Sequence, residues 1–254
     1  MPLSEIIVNT GNILNSEHLK KRVNLGPQEE LVDSLREALK SSAAELKKGA
    51  ADKPDSRWAC GDTTSDLFAE ESREELKITV KIFLMDVTKE SLISAVNETL
   101  RQLQVNTLDL LLLSVPSNNY DQFKEVWAAL EGYAKSGALE SIGVSDFDLA
   151  EFDKLYEAAS VKPSVNQVNL ESCCVIPPEL SDFAKKNNVQ LLTHNDPRTM
   201  LEPESVADIL KSADLACLEP ETCTVAWLVR YSAMVKLRGV VKSRGFIFSI
   251  HQKK

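Results

Sequence analysis

The sequence predicts an α/β fold built around a parallel sheet. From residue 76 onward, short β-branched apolar runs alternate with amphipathic helical segments, which is the pattern of successive right-handed βαβ units. The length of 254 residues suits one α/β barrel. The composition, 43% apolar and 26% charged, is typical of a globular chain. We therefore expect a single domain over residues 1–254 that forms an eight-stranded (β/α)8 TIM barrel.

The predicted strands are short apolar runs bounded by turn residues. They are the segment LDLLLLSVP, which ends near Ser114, and residues 76–85, 139–145, 164–170, 189–194 and 238–243. Two further strands would complete a barrel, one at EIIVN near the amino terminus and one near residues 57–64.

The predicted helices carry apolar residues at spacings of three and four. They cover residues 27–48, 89–103, 121–137, 148–160, 177–188 and 220–236. Residues 49–75 are polar and acidic with little periodicity, which indicates a mobile loop or a poorly defined strand. We therefore expect a divergent N-terminal third and, since RGFIFSIHQKK follows the last predicted strand, a shortened C-terminus.

The charge of the chain argues against nucleic acid as a partner. The net charge is −9, whereas a nucleic-acid-binding domain needs a basic surface. The distribution is uneven, because the residues after Glu221 include no acid but several bases. These bases are Arg230, Lys236, Arg238, Lys242, Arg244, Lys253 and Lys254. Such a segment either holds a phosphate or an acidic partner, or is an ordinary solvated tail.

We expect the protein to be cytoplasmic and not bound to a membrane. The opening MPLSEIIVNTGNIL lacks the pattern of a signal peptide, and no run approaches the roughly 18 apolar residues of a membrane span. The five cysteines are unpatterned, which favours a reducing compartment. Cys173 and Cys174 are adjacent. They are either buried thiols or a redox-active or intermolecular pair. An internal disulfide between the two is not expected, because a bond between neighbouring cysteines strains the intervening peptide.

Several kinds of chemistry lack their motifs. The three histidines are scattered and no CxxC occurs, so no metal site is expected. An early GxGxxG is absent, which disfavours a dinucleotide-binding doubly wound sheet. No serine lies in a GxSxG elbow, so a hydrolase is not indicated.

The strand segments resemble the barrel strands of the aldo-keto reductases. VKIF, LDLLLLSVP, SIGVSDFD, SVNQVNL, VQLLTHNDP and RGVVKS occur in that family's order and spacing over residues 76–245. The resemblance implies an eight-fold β/α barrel that binds NADPH at the carboxyl ends of its strands. It also implies carbonyl reduction by a tetrad of Asp, Tyr, Lys and His, in which the tyrosine protonates the carbonyl and the lysine lowers its pKa.

On that resemblance the catalytic tetrad is degenerate. Lys81 occupies the position of the lysine, and Ser114 stands where the histidine belongs. The tyrosine should precede Lys81, yet the first tyrosine is Tyr120, and Asp62 is too loosely aligned to be assigned as the aspartate. Loss of a general acid alone costs roughly 10²–10⁴-fold in rate. We therefore expect no catalytic residues and no ordinary reductase activity.

The resemblance also implies a vestigial nucleotide pocket. Its candidate residues are Ser145, Asp146 in place of an asparagine, Asn166, Gln167, His194 in place of a stacking tyrosine, Lys242 and Ser243. These residues either retain NADPH binding or persist because the barrel packs that way. No cofactor is expected to be required.

A second resemblance covers nearly the whole chain and is weakest over residues 49–75. TGNIL, SCCV, THNDP and LVRYSAMVKLRGVVKSRGF resemble the regulatory (modifier) subunits of glutamate–cysteine ligase, a family with a reductase-like barrel. It implies a pseudoenzyme that forms a heterodimer with the ligase's catalytic subunit, improves its use of glutamate and relieves feedback by glutathione. Cys173 and Cys174 are then candidates for redox-linked contact with that partner. The alternatives are an NADPH-dependent reductase with an atypical active site, and a nucleotide sensor.

Overall fold

The computed structural model describes residues 5–22, 25–52, 57–61, 71–116, 120–170, 175–197, 199–215 and 222–252. The strands are β1 (Glu5–Asn9), β2 (Arg57–Gly61), β3 (Leu76–Leu84), β4 (Leu110–Ser114), β5 (Ile142–Ser145), β6 (Val165–Asn169), β7 (Gln190–His194), β8 (Cys223–Val235) and β9 (Val240–Gln252). The helices are α1 (Glu17–Lys20), α2 (Pro27–Asp52), α3 (Lys89–Leu103), α4 (Tyr120–Lys135), α5 (Leu149–Ala158), α6 (Pro178–Lys186) and α7 (Pro203–Ser212). Short 3₁₀ turns cover Ile13–Asn15 and Arg73–Glu75.

Most elements confirm the sequence predictions. The helix predicted over 89–103 has those bounds, and the one predicted over 27–48 continues to Asp52. The strands expected at EIIVN and near 57–64 are β1 and β2. Of the segment 49–75 that was predicted as a mobile loop or weak strand, residues 53–56 and 62–70 lie outside the described residues.

The helix predicted over 220–236 is wrong. The segment forms the long strand β8, which pairs antiparallel with β3 on one side and with β9 on the other. Trp227, Leu228 and Val229 are consecutive and all buried, because helices cover both faces of this central strand. The last strand, predicted over 238–243, accordingly extends over Val240–Gln252 as the second arm of a hairpin.

The described strands form one mixed sheet in the order β2-β1-β9-β8-β3-β4-β5-β6-β7. Strands β3 to β7 are mutually parallel, as the predicted α/β class requires. Strand β1 is parallel to β2 but antiparallel to β9. Because β9, β8 and β3 are successively antiparallel, β1 and β2 run opposite to β3–β7. The sheet therefore departs from a regular eight-fold barrel in its nine strands and in the direction of β1 and β2.

Helices cover both faces of the sheet. On one face, α3, α4 and α5 pack on β3, β4 and β5, and the buried side chains include Leu92, Val126 and Phe152. On the other, α2 and α7 pack on β1, β9 and part of β8, through residues such as Leu35 and Ile209. The alternation of side chains along each strand supplies both faces.

Local capping fixes where several of these helices begin. Thr88 caps α3, its hydroxyl accepting a hydrogen bond from the Ser91 backbone N–H. Asp148 caps α5 in a reciprocal capping box with Glu151. Helix α3 ends at Gln104, which adopts a left-handed φ of 54°. These caps hold the helices against the β/α half of the sheet, whose carboxyl end carries the candidate site. Among the described residues, no helix is both long and apolar enough to span a membrane.

Candidate functional site

Polar side chains meet near the carboxyl ends of the parallel strands. We call this group the Lys81 cluster; it consists of Lys81 on β3, Ser145 at the end of β5, Asp146 directly after it, Gln167 on β6, His194 at the end of β7, Asp196 in the following turn, and Arg230 on β8. In parallel β/α folds this edge of the sheet is where binding and catalytic sites form. The sequence predictions for Lys81, Ser145, Asp146, Gln167 and His194 therefore come together in one place.

Lys81 is held by three acceptors. Its Nζ donates to Ser145 Oγ at 2.9 Å, Gln167 Oε1 at 2.8 Å and Asp196 Oδ2 at 2.9 Å. An ammonium group has three donors, so these contacts use all of its hydrogen-bonding capacity. Burial lowers the pKa of Lys81, and the neighbouring Asp196 carboxylate opposes this by favouring the charged form. Asp196 is thus the carboxylate that holds the Lys81 ammonium.

Asp196 is the electrostatic centre of the cluster. Its side chain is 3% exposed and accepts from Lys81, from both terminal nitrogens of Arg230 at 2.5 and 2.9 Å, and lies 3.0 Å from His194 Nδ1. Burial works to raise the pKa of Asp196, but the hydrogen bonds from His194 and Arg230 and the cationic charges outweigh it and hold the pKa far below its usual range. Arg230 meets it as a two-pronged charge-assisted pair.

His194 lies between two carboxylates. Its Nε2 is 2.9 Å from Asp146 Oδ1 and 3.3 Å from Ser145 Oγ, while its Nδ1 faces Asp196. Burial works to lower the pKa of His194, and the hydrogen bonds to Asp146 and Asp196 outweigh it, so that the pKa is raised. The side chain of His194 is only 6% exposed, so it is not positioned as an open stacking surface.

Asp146 fits a position that few side chains tolerate. Its φ is 66°, in the left-handed region where Asn and Asp are favoured among non-glycine residues. Its backbone N–H donates to the Gln167 carbonyl at 2.8 Å, and its Oδ1 accepts from the Asn169 N–H at 3.0 Å. Burial works to raise the pKa of Asp146, but the hydrogen bond and charge of His194 lower it overall. Asp146 thus links β5, β6 and β7.

The predicted Asn–Gln pair is divided between the two faces of β6. Gln167 reaches Lys81, whereas Asn166 Nδ2 donates to the Phe147 carbonyl at 2.9 Å. Neighbouring residues of a strand point to opposite faces, so Asn166 does not join the cluster. Its Oδ1 is buried without a hydrogen-bond partner in the described structure, on the side of the sheet away from Lys81.

Lys242 and Ser243 lie at the other end of the sheet. Ser243 pairs with Ala233, which pairs with Ile78, so it is three residues closer to the amino end of β3 than Lys81 is. That displacement is about 10 Å along the strands. Lys242 forms an ion pair with the buried carboxylate of Glu71. The prediction that these residues share a pocket with Ser145 is therefore not met by the geometry.

Among the described side chains, neither Ser114 nor a tyrosine adds a proton donor to the Lys81 cluster. Ser114 ends β4 and is half-buried, in register with Phe83 of β3. The hydroxyls of Tyr133, Tyr156 and Tyr231 donate to Asn97, to the Asn187 carbonyl and to the Gly11 carbonyl respectively. The side chains of Asp62, Tyr120, Cys173 and Cys174 lie outside what the structure describes.

The sequence reasoning missed Asp196 and Arg230. Asp196 lies in the THNDP segment, and its position two residues after a strand end could have marked it as a site residue. Arg230 could not be found in the same way, because it reaches the cluster from an antiparallel strand that the sequence pattern presented as a helix. Arg230 pairs in register with Lys81 across β8 and β3.

The described residues do not fit NADPH in the manner of the resembled reductases. Ser145 and Gln167 are bound to Lys81, His194 is enclosed by two aspartates, and the Lys242–Ser243 pair lies at the opposite end of the sheet. A dinucleotide needs its nicotinamide and phosphate contacts along one continuous surface. The cluster is instead a self-satisfied ionic network.

The sequence comparisons define the class of protein. A model of the Aldo/keto reductase family matches residues 56–195, and the chain belongs to that family. It is 33% identical to the glutamate–cysteine ligase regulatory subunit of Mus musculus over 98% of this chain and 94% of that protein. The corresponding protein of Homo sapiens is also 33% identical, over 97% of this chain and 92% of its own length. Within the family the chain therefore falls among the glutamate–cysteine ligase regulatory subunits.

Other relatives are reductases by name. The glyoxal reductase of Bacillus subtilis is 33% identical over 64% of this chain and 56% of its own length. A solved aldo/keto reductase from Brucella melitensis is 24% identical and superposes with a TM-score of 0.46, covering 71% of this chain and 70% of that one.

Proposed function

We propose that the chain is a non-catalytic regulatory subunit in glutathione synthesis. In this proposal it binds the catalytic subunit of glutamate–cysteine ligase as a cytoplasmic heterodimer, improves that subunit's use of glutamate and relieves its feedback inhibition by glutathione. The observation that carries the proposal is the 33% identity to the mouse regulatory subunit over 98% of this chain. The match also covers 94% of that relative's own length.

The Lys81 cluster supports the non-catalytic part of the proposal. A reductase needs a proton donor beside the carbonyl oxygen that receives hydride. Here the Lys81 ammonium is used by Ser145, Gln167 and Asp196, and the side chains of Lys81 and Asp196 are 4% and 3% exposed. A buried and internally paired lysine has no free donor to assist an acid. The network is better suited to bracing strand ends than to chemistry.

Reconstitution with the purified catalytic subunit tests the proposal. We expect the two chains to co-elute on gel filtration, and the mixture to show a lower KM for glutamate and a weaker inhibition by glutathione than the catalytic subunit alone. An active aldo-keto reductase at the same concentration is the control for the shared scaffold. Separate elution together with unchanged kinetics would exclude the proposed role.

Cys173 and Cys174 are proposed as the redox-linked contact with the catalytic subunit. The same reconstituted complex, separated on a non-reducing gel, tests this part. A band of the summed mass that is lost in Cys173→Ser or in Cys174→Ser would identify the thiol. The same band persisting in the double variant would assign the bond to another cysteine.

A further inference from the structure

His194 is held in a way that depends on its protonation state. Its Nδ1 lies 3.1 Å from the Asp196 backbone nitrogen and 3.0 Å from Asp196 Oδ2. A neutral Nδ1 can accept the hydrogen bond of the Asp196 N–H. A protonated Nδ1 cannot accept, and donates to the Asp196 carboxylate instead. The two arrangements are mutually exclusive, and each uses a different group of the same residue.

The other ring nitrogen keeps the histidine anchored in both states. Nε2 lies 2.9 Å from Asp146 Oδ1, so an Nε2–H donates to that carboxylate whether the ring is neutral or cationic. Protonation therefore changes the contact to the Asp196 turn and not the contact to β5. A ring fixed on one side and exchanging partners on the other is a two-state element.

The charges around the ring come from every strand that meets it. Lys81 on β3 and Arg230 on β8 are cationic, and Asp146 after β5 and Asp196 after β7 are anionic. Ser145 on β5, with Gln167 and Asn169 on β6, contributes only neutral hydrogen-bonding groups. Over these described residues, the formal charges without His194 sum to zero. Both carboxylates touch the ring directly, whereas Lys81 and Arg230 both contact Asp196, so this arrangement favours an imidazolium.

We propose that protonation of His194 controls how tightly the turn after β7 is held against the rest of the sheet. We call this pH-dependent contact of His194 with Asp146 and Asp196 the clasp. Protonation gives the Asp196 carboxylate a third cationic partner beside Lys81 and Arg230, and so tightens the turn after β7 onto β3 and β8. After deprotonation, His194 Nδ1 accepts the hydrogen bond of the Asp196 backbone N–H, and the Asp196 carboxylate loses its ion pair with His194. The clasp does not depend on the proposed regulatory function, since it is built entirely from this chain.

The stability consequence has a definite sign. The pKa of His194 is raised above its ordinary 6.5 because the hydrogen bonds to the two carboxylates outweigh the effect of burial. A raised folded-state pKa means that the folded chain binds more protons than the unfolded chain. The stabilisation from His194 is then fully present below about pH 6.5 and is lost as pH rises through the folded-state pKa.

Imidazole NMR tests the clasp directly, because the chain has only three histidines, His18, His194 and His251. We expect one imidazole to titrate above pH 6.5 and to be absent in His194→Gln. Asp146→Asn should lower that midpoint, and Asp153→Asn, which removes an exposed carboxylate on α5, should leave it in place. A His194 midpoint at or below 6.5, or one unmoved by Asp146→Asn, would overturn the proposal.

Amide hydrogen exchange tests the mechanical part. After correction for intrinsic rates, exchange of residues 190–197 should be several-fold faster at about pH 8.5 than at about pH 5.5 in the wild type. Residues 89–103, in α3 on the opposite face, serve as the internal control. Equal protection of residues 190–197 at both values would show that the ring titrates without operating a clasp. Because the exchange measurement uses only the wild-type chain, it holds even where a variant fails to fold.

Discussion

At the scale of single residues, Asp196 organises the site more than Lys81 does. Lys81 contacts one carboxylate and two neutral oxygens, whereas Asp196 is shared by Lys81, Arg230 and His194. Removing one partner of a buried ion pair leaves an uncompensated charge, which costs about 3–5 kcal/mol. The cost depends on how many other partners the remaining charges keep, so we do not expect substitutions of Asp196 and of Lys81 to cost the same free energy of unfolding.

We predict that Asp196→Asn destabilises the chain by ~3–5 kcal/mol and that Lys81→Met costs clearly less. Asp196→Asn leaves both Lys81 and Arg230 without their carboxylate, whereas Lys81→Met leaves Asp196 paired with Arg230 and His194. Urea unfolding of the two variants and the double variant gives the coupling. A larger loss for Lys81→Met than for Asp196→Asn would contradict this order.

The sequence pointed to residues of the cluster through the family resemblance, which holds where the strand pattern is regular. Lys81, Ser145, Gln167 and His194 lie in short strands of a β/α repeat, and the carboxyl ends of such strands meet. Asn166 was misassigned because adjacent residues look equally placed until the pleat of β6 is known. Arg230 could be placed beside Lys81 only if the direction of β8 relative to β3 were known. The local sequence does not give that direction.

At the scale of secondary-structure elements, the β8–β9 hairpin shows where periodicity fails. Residues 226–229 are buried without a break, and buried and half-buried positions alternate over 229–235, so the apolar positions satisfy a helical spacing as well as a strand alternation. Length usually separates the two, since strands of four to eight residues are typical and a run of thirteen favours a helix. For β8, the length criterion therefore gives the wrong assignment. Lys242 and Ser243, expected at the end of a strand over 238–243, lie near the start of β9 instead, because that strand continues to Gln252.

The close approach of β9 to the residues after β1 can be tested at Gly245. A Cβ on Gly245 would lie 2.2 Å from the Gly11 carbonyl oxygen and 2.7 Å from the Tyr231 hydroxyl. The Tyr231 hydroxyl donates to that same carbonyl, so it cannot move aside without losing a buried hydrogen bond.

We predict that Gly245→Ala destabilises the chain by ~1–3 kcal/mol through overpacking. Gly132→Ala is the matched control, because nothing lies within 4 Å of its added Cβ on the exposed face of α4. Alanine there should be neutral or stabilising by up to about 1 kcal/mol. Thermal unfolding of both variants gives the comparison. A tolerated Gly245→Ala would show that β9 does not approach residue 11 as closely as described.

At the scale of the whole molecule, the arrangement of the sheet decides whether a cofactor can be held. The β/α units of β3–β7 follow the family pattern and could be predicted from the alternation of short strands and helices. The direction of β1 and β2 could not, because it depends on long-range pairing with β9. Separately, the register of β9 on β8 and of β8 on β3 places Lys242 and Ser243 at the opposite end of the sheet from Ser145.

We predict that the chain neither binds NADPH saturably at sub-millimolar concentration nor oxidises it with a panel of aldehydes. The physical reason is the separation of Lys242 and Ser243 from Ser145, together with the occupation of Lys81 by Asp196. Quenching of Trp227 and the other tryptophans during titration measures binding, and the loss of NADPH absorbance measures turnover. An active aldo-keto reductase treated in parallel controls for the cofactor and the substrates.

The two readouts separate the alternatives that the fold leaves open. Saturable quenching without NADPH oxidation would establish a nucleotide sensor, and would require a surface that does not use the Lys242–Ser243 pair. Saturable quenching with oxidation would establish an atypical reductase. In that case Asp196→Asn, which frees Lys81 from its carboxylate, should change the rate, whereas a chain whose network is purely structural has no rate for that substitution to change. Absence of both signals leaves the charged strand ends with a structural role, in which buried charges pair with one another and the outer surface of the fold is free to bind a partner.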